Sequence, residues 1–380
     1  MIPIRSASLI ALFALAATVH ADPVKYKIVK LDTLAGDKSG IAYGINDLGQ
    51  VVGNGYSSNG ISSTKSHATL WDQNGHATTI GALGSDTASI AVGINNAGQI
   101  AGNSLNLTDG YRAFRSTGGT LTALGSVSGK GNGFATGINS SGAMSGYAQK
   151  KDFESALKWN AGSSTATEIG SESGVLRSWG RAIDDAGNVV GDDTLNDPSG
   201  AFGPQPTSWI WSGGNNFTNL SLPGGMDKYY ATASSPNGQY QIGTSIASDD
   251  SYYGTFSNGG TSTPFSDFMA FPKGVNDKGQ IVGDDSYLRQ EFLGSGTAYL
   301  YENGSVYDLT SLIDTTLTTE SWQLNSATAI NANGWIVGGG SIGSQFFGYL
   351  AIPVQAVPEP ASLAALGVGA LALLRRKRRN

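Results

Sequence analysis

Apolar residues along this chain come in short runs broken by Gly, Asn, Asp, Ser or Thr, and helical 3.6-residue spacing is absent except near the two ends. Short runs bounded by turn residues predict strands. The pattern also repeats. The string AYGINDLGQVVG, from Ala42 to Gly53, returns as AVGINNAGQIAG ending at Gly102 and ATGINSSGAMSG ending at Gly146. Further copies are RAIDDAGNVVG ending at Gly191, KGVNDKGQIVG ending at Gly283 and AINANGWIVG ending at Gly338. A degraded copy with one extra residue, SSPNGQYQIG, ends at Gly243, so the unit occurs seven times. Those final glycines are 49, 44, 45, 52, 40 and 55 residues apart. An average of about 47 is the length of a four-stranded propeller blade.

Each unit has the same internal layout. Gly-Ile-Asn reads as a short buried strand, Asn-Asp-x-Gly as a turn where φ becomes positive, and Val-Val-Gly as the returning strand. After a variable loop comes an aromatic strand, such as His67 to Trp71, Tyr111 to Phe114, Ser155 to Trp159 or Ala298 to Tyr301. A second turn, Asn74-Gly75 or Asn303-Gly304, leads to a fourth strand such as Thr78 to Leu83. The last unit has its third strand, Gly348 to Ile352, but no fourth. At the other end Tyr26 to Leu34 resembles a fourth strand without a unit of its own. Pairing the two would remove the exposed edges of an open array. The expected fold is therefore all-β, a seven-bladed β-propeller closed by the N-terminal strand, with an open β-solenoid or a sandwich array as the alternatives. The GIN-x-x-G-x-(Ile/Val)-(Val/Ala)-G units resemble the HAF-type repeats of bacterial extracellular proteins over residues 24 to 352. That resemblance implies a shared architecture and export route rather than an activity.

The two ends have a different composition. Arg5 precedes an apolar run from Ala7 to Val19, and Val19-His20-Ala21 suits signal peptidase, so residues 1–21 are expected to be a signal peptide cleaved before Asp22. Residues 22–353 carry the repeats. In 354–380, Val357, Pro358, Glu359 and Pro360 precede an apolar segment from Ala361 to Leu374, expected as a single helix. A basic cluster follows: Arg375, Arg376, Lys377, Arg378 and Arg379. Prolines hold an extended segment open to a transpeptidase, and the basic cluster keeps the terminus cytoplasmic. About 14 apolar residues make roughly 21 Å of helix, short for a permanent span of roughly 30 Å. The order of motif, helix and basic cluster resembles the PEP-CTERM sorting signals of Gram-negative bacteria. This implies processing by an exosortase, transient anchoring in the inner membrane and release to the outer surface or matrix. A retained tail on a plain membrane-anchored surface protein is the alternative.

Charge narrows the partners. Taking Arg5 and the five basic tail residues from the 23 basic residues leaves 17 against 29 acidic ones, a net of −12, or −11 once Glu359 of the tail is removed as well. Such a domain does not attract nucleic acid. The chain has no cysteine, hence no disulfide, thiolate metal site or cysteine nucleophile. His67 and His76 fall on predicted strand and turn edges, with no Gly-x-Ser-x-Gly context for a triad. The candidate ligand or cation site is instead acidic and aromatic. Asp192, Asp193, Asp249, Asp250, Asp284 and Asp285 follow the second strands of three consecutive units, on the variable-loop side of the expected ring, and Tyr229, Tyr230, Tyr252, Tyr253, Tyr287 and Trp322 are expected nearby. Carboxylates suit Ca²⁺ and aromatic faces stack on sugars. The expected role is that of a non-catalytic, monomeric surface or matrix protein, handled by signal peptidase and exosortase during export and binding exopolysaccharide or matrix proteins through its variable loop face. A glycan hydrolase or lyase using two of the carboxylates is the enzymatic alternative.

Overall fold

Each copy of the repeat forms the first two strands of a four-stranded antiparallel sheet. In unit 1, Ser39–Ile45 turns into Val51–Tyr56, followed by Ser66–Trp71 and the three-residue strand Ala77–Thr79. The order recurs over residues 88–123, 132–168, 175–219, 226–264 and 271–308, units 2 to 6. Units 3 and 4 share one eight-stranded sheet through a parallel bridge between Glu154 and Arg177. Unit 7 takes three strands from residues 322–354. Its outer strand is Lys25–Lys30, antiparallel to Gln345–Val354, with Lys25 opposite Val354 and Lys30 opposite Tyr349. The computed structural model describes residues 23–57, 66–106, 110–127, 132–150, 153–169, 175–195, 207–286 and 296–354. Among these, helix is represented by one 3-10 turn, Leu309–Leu312, and no helix is long and apolar enough to cross a membrane. The expected signal peptide and the tail with its helix lie outside the described residues.

The fourth strands are shorter than the apolar runs suggest: Ala77–Thr79 replaces the expected Thr78 to Leu83. The N-terminal strand likewise ends at Lys30, not Leu34. In both, the remaining apolar side chains anchor the exit loop, as Leu83 and Leu31 are buried beyond the ladder.

Of the Asn, Asp and Gly residues that suit a turn with positive φ, the repeat uses glycine. In every unit that conformation belongs to glycine, from Gly49 at 78° to Gly334 at 79°. The asparagine before it is a connector. Asn46 Oδ1 accepts the N–H groups of Leu48 and Gln50, closing the turn. Its Nδ2 donates to Gln50 Oε1 at 2.8 Å and to the Asn95 carbonyl of unit 2 at 3.0 Å. Asn95 reaches the Asn139 carbonyl in the same way, and Asn139 reaches that of Asp184. From unit 4 the Asp185 N–H donates to the Pro236 carbonyl, and from unit 5 the Asn237 N–H donates to Asp277. Asn276 then donates to the Asn331 carbonyl, and Asn331 to that of Asn46, so the links return from unit 7 to unit 1. The extra residue of unit 5 lengthens its turn, which closes from the Ser235 N–H to the Tyr240 carbonyl.

Candidate functional site

All seven first strands carry a β-bulge at the same place. The pairing slips between Ala42 and Gly44, Ala91 and Gly93, Ala135 and Gly137, and at the equivalent points of units 4 to 7. A bulge adds one unpaired residue and bends the strand. Here it swings a carbonyl over the final glycine of the repeat on the neighbouring strand. A Cβ on Gly53 would land on the Ile41 carbonyl oxygen, and one on Gly146 on that of Phe134. Backbone approach, not φ, fixes these glycines.

The added residues face a common cavity of about 2010 Å³, lined by the first strand of every unit. Three of them are threonines that hold the next unit: Thr136 Oγ1 donates to the Gly180 carbonyl, Thr232 to that of Pro272 and Thr328 to that of Ala42, at 2.6, 2.8 and 2.7 Å. Tyr43 and Val92 occupy the position in units 1 and 2. Units 4 and 6 place Arg181 and Lys273 there, and both side chains are paired with an aspartate immediately after the repeat glycine. Arg181 Nε donates to Asp192 Oδ1 at 2.5 Å and Nη2 to Oδ2 at 3.3 Å. Lys273 Nζ donates to Asp284 Oδ2 and, at 3.0 Å, to Ser326 Oγ. Units 1 and 2 have Asn54 and Asn103 at the aspartate position, and there the amides hold the next unit through Ala91 and Ala135. In unit 4 that task passes to Ser208, whose hydroxyl accepts the Ala231 N–H and donates to the Tyr229 carbonyl. Asp192 is thereby released to hold Arg181.

Between the bulges and the N-terminal ends of the first strands the wall is aromatic. Tyr111 meets Phe134 edge to face at 5.4 Å, Phe134 stacks on Tyr147 at 5.2 Å, and Tyr147 contacts Trp179 at 6.3 Å. The Arg181 guanidinium lies 4.3 Å from the Trp179 ring centre. All four rings are half-buried and line the cavity. At the other end, isoleucines such as Ile94 and Ile138 form an apolar collar inside the asparagine turns.

The acidic pairs predicted as one site have separate duties. Asp192 and Asp284 hold the two cations, Asp193 accepts the Trp209 indole N–H at 2.9 Å, and Asp285 accepts the Thr297 N–H at 2.7 Å. Asp249 and Asp250 lie on the exposed turn from Ala247 to Ser251, where Asp249 accepts the Ser251 N–H. Asp250 has φ of 62° and lines the cavity. Tyr252 also lines it, 5.7 Å from Phe271, whereas Tyr253 is in the same strand facing the opposite side. Tyr287 and the whole sorting tail, Val357 to Pro360 and the basic cluster included, lie outside the described residues. Among the described residues no group of three carboxylates or histidines could hold a metal ion. His67 pairs with buried Asp37 at 2.8 Å, in the place where unit 2 pairs Arg112 with Asp86. It is one of a pair of equivalent braces.

Burial pushes the Asp192 carboxyl upward against the pull of Arg181. It raises the cavity tyrosines too, Tyr43 strongly and Tyr147 to about 12, with Glu154 adding to the latter. A tyrosine whose folded pKa is raised contributes fully below its unfolded value near 10 and loses that contribution as pH climbs through the folded value. We expect chemical-denaturant stability to fall from about pH 10 upward, the Tyr147 share being lost between about 10 and 12. Ultraviolet titration of tyrosinate should show these residues ionising only as the protein unfolds.

The bulge residues were missed in the linear reading, although a signal exists. With the repeats superimposed, the position two before the Ile-Asn step reads Tyr, Val, Thr, Arg, Thr, Lys, Thr, and its two charged members coincide with the two aspartates after the repeat glycine.

Residues 356–379 match the family described as the PEP-CTERM protein-sorting motif. The motif implies export, membrane-associated sorting and exosortase processing in Gram-negative bacteria. No curated protein matches the chain. Among solved structures it is similar to TolB from Acinetobacter baumannii, with 14% identity over 67% of this chain and 61% of that chain and a TM-score of 0.48. It is similar to a putative TolB from Agrobacterium tumefaciens, with 13% identity over 87% of this chain and 100% of that one and a TM-score of 0.43. A third, the Pyrococcus horikoshii acylaminoacyl peptidase, has 12% identity over 79% of this chain and 49% of that one, with a TM-score of 0.49.

Proposed function

We propose that the seven HAF-type units are the blades of one closed β-propeller. It is exported by its signal peptide, sorted by exosortase to the outer surface or matrix, and binds a glycan in its central cavity without turning it over. The observation that carries this reading is the continuous row of half-buried rings from Tyr111 to Trp179 on the cavity wall. Water-facing aromatic rings in a concave site offer flat apolar faces, which suit the C–H faces of pyranose rings. The hydrogen bonds that run from unit to unit and return to Asn46 support closure, and closure would hold the wall rigid. Strand pairing between Lys25–Lys30 and Gln345–Val354 supports the same arrangement.

A glycan-array screen of the purified full chain, beside the Trp179→Ala variant, tests the binding. The expected result is retention of a definite glycan class, recovered intact after incubation. Affinity should fall about tenfold on loss of the Trp179 ring. Absence of retention of any glycan by the folded protein would overturn the reading.

A further inference from the structure

We infer that the cavity is built for an acidic glycan, a polyuronate, whose carboxylates meet cations on three consecutive units. This rests on the glycan reading above and adds the charge of the ligand. The cations are Arg181 of unit 4, Lys228 of unit 5 and Lys273 of unit 6, and all line the cavity. The two ion pairs are asymmetric in exposure. Side chains of Arg181 and Lys273 are 34% and 39% exposed, whereas those of Asp192 and Asp284 are 0% exposed. A ligand in the cavity therefore meets the positive member of each pair, while the negative member lies behind it in the wall. Lys228 has no ion-pair partner among the described residues, so its ammonium is not held by a carboxylate as those of Arg181 and Lys273 are.

Stability does not account for these pairs. Burying an ion pair costs desolvation that its attraction often fails to recover. Burial outweighs Arg181 in setting the Asp192 carboxyl. Five of the seven units fill the same bulge with Tyr, Val or Thr and need no cation there. The two exceptions both point into the one space that the aromatic wall also lines. Arg181 stacks on Trp179, so a sugar ring lying along that wall would bring a ring carboxylate to the guanidinium. Most of the acidic groups on the lining at the turn end are already engaged: Asp47 accepts the Ala332 N–H, Asp185 that of Ser140 and Asp277 that of Asn237. These three keep their charge but lie at the turn end, whereas Asp284 is paired with Lys273 and Asp250, on the exposed turn of unit 5, is the remaining lining carboxylate.

Calorimetry with a short polyuronate oligomer, and with the same oligomer after reduction of its carboxyl groups, tests the inference on the full chain. The acidic oligomer should bind about tenfold more tightly at low salt, with the advantage shrinking as salt is added. Lys228→Glu should weaken the acidic oligomer about tenfold. A second variant, Arg181→Thr with Asp192→Asn, gives unit 4 residue types that its sister units already carry at those positions and leaves no buried charge unpaired. It should weaken the acidic oligomer by a similar factor and leave the reduced one within about twofold. Asp250→Asn should tighten the acidic oligomer. Equal binding of the two oligomers, or equal weakening of both by the double variant, would overturn the acidic assignment while the glycan reading stands. Failure of both oligomers and of the glycan array would remove the glycan reading itself.

Discussion

Replacing Asn46 by Asp is expected to cost about 3 kcal/mol of folding stability, and adding Gln50→Asn to the same chain should return roughly half of it. The substitution is isosteric, so packing does not change. Asp keeps the oxygen that receives the Leu48 and Gln50 N–H groups and so preserves the turn. What it loses is the donor. Its second oxygen would face Gln50 Oε1 and the Asn95 carbonyl oxygen, where Nδ2 now stands at 2.8 and 3.0 Å. Asn46 is 3% exposed, so water cannot relieve the clash of acceptors. An unsatisfied buried polar group costs about 1–3 kcal/mol, and a charge more. Unit 4 shows how the fold accommodates an aspartate at this position. Asp184 is followed four residues later by Asn188, whose amide donates to its carboxylate at 2.7 Å, and the link onward is made by a backbone N–H. The double variant copies the first half of that solution, not the second. Urea unfolding of the wild type, the single variant and the double variant measures both steps. A single variant within about 0.5 kcal/mol of wild type would mean that the amide does not join the units.

The arrangement of strands was legible because it rests on short-range rules: glycine where φ is positive, apolar pairs where a strand is buried, and one aromatic strand per unit. The site was not, because it depends on which face of a strand a residue occupies after a bulge. Asp192 and Asp193 are adjacent in sequence, but neighbouring strand residues point to opposite faces. One therefore meets Arg181 behind the cavity lining and the other meets the Trp209 indole on the opposite face of the strand. Asp284 and Asp285 part in the same way. An acidic doublet on a strand is for this reason a poor predictor of an acidic site. The asparagine connectors were hidden for a different reason. Asn before a turn glycine satisfies a local rule, and nothing local shows that its amide also reaches a carbonyl about 45 residues away. The cavity aromatics Phe134 and Trp179 sit two residues before the bulge, in positions that read as ordinary buried strand.

The same bulge makes the repeat glycines hard to replace. Gly53→Ala is expected to destabilise the protein by about 3 kcal/mol or more and to lower its yield as folded material. Its added methyl would meet the Ile41 carbonyl oxygen, with the Ala42 Cα at 2.7 Å, and all of these are backbone atoms. A side chain can turn aside to make room; a carbonyl fixed by the bulge cannot move without undoing the pairing of Ala42 with Gly53 and Gly44 with Val52. Gly49→Ala, in the turn, meets a different obstacle, a φ of 78° and the Trp335 ring of unit 7. Gly81→Ala is the control, because φ is 89° there but no atom lies within 4 Å of the added methyl, leaving only the conformational cost of about 1 kcal/mol. If steric contact with the bulged carbonyl is what selects glycine at position 53, Gly53→Ala must be markedly worse than Gly81→Ala although only Gly81 has positive φ. The reverse order in thermal unfolding would assign the repeat glycines to chain conformation and leave the bulge without its constraint.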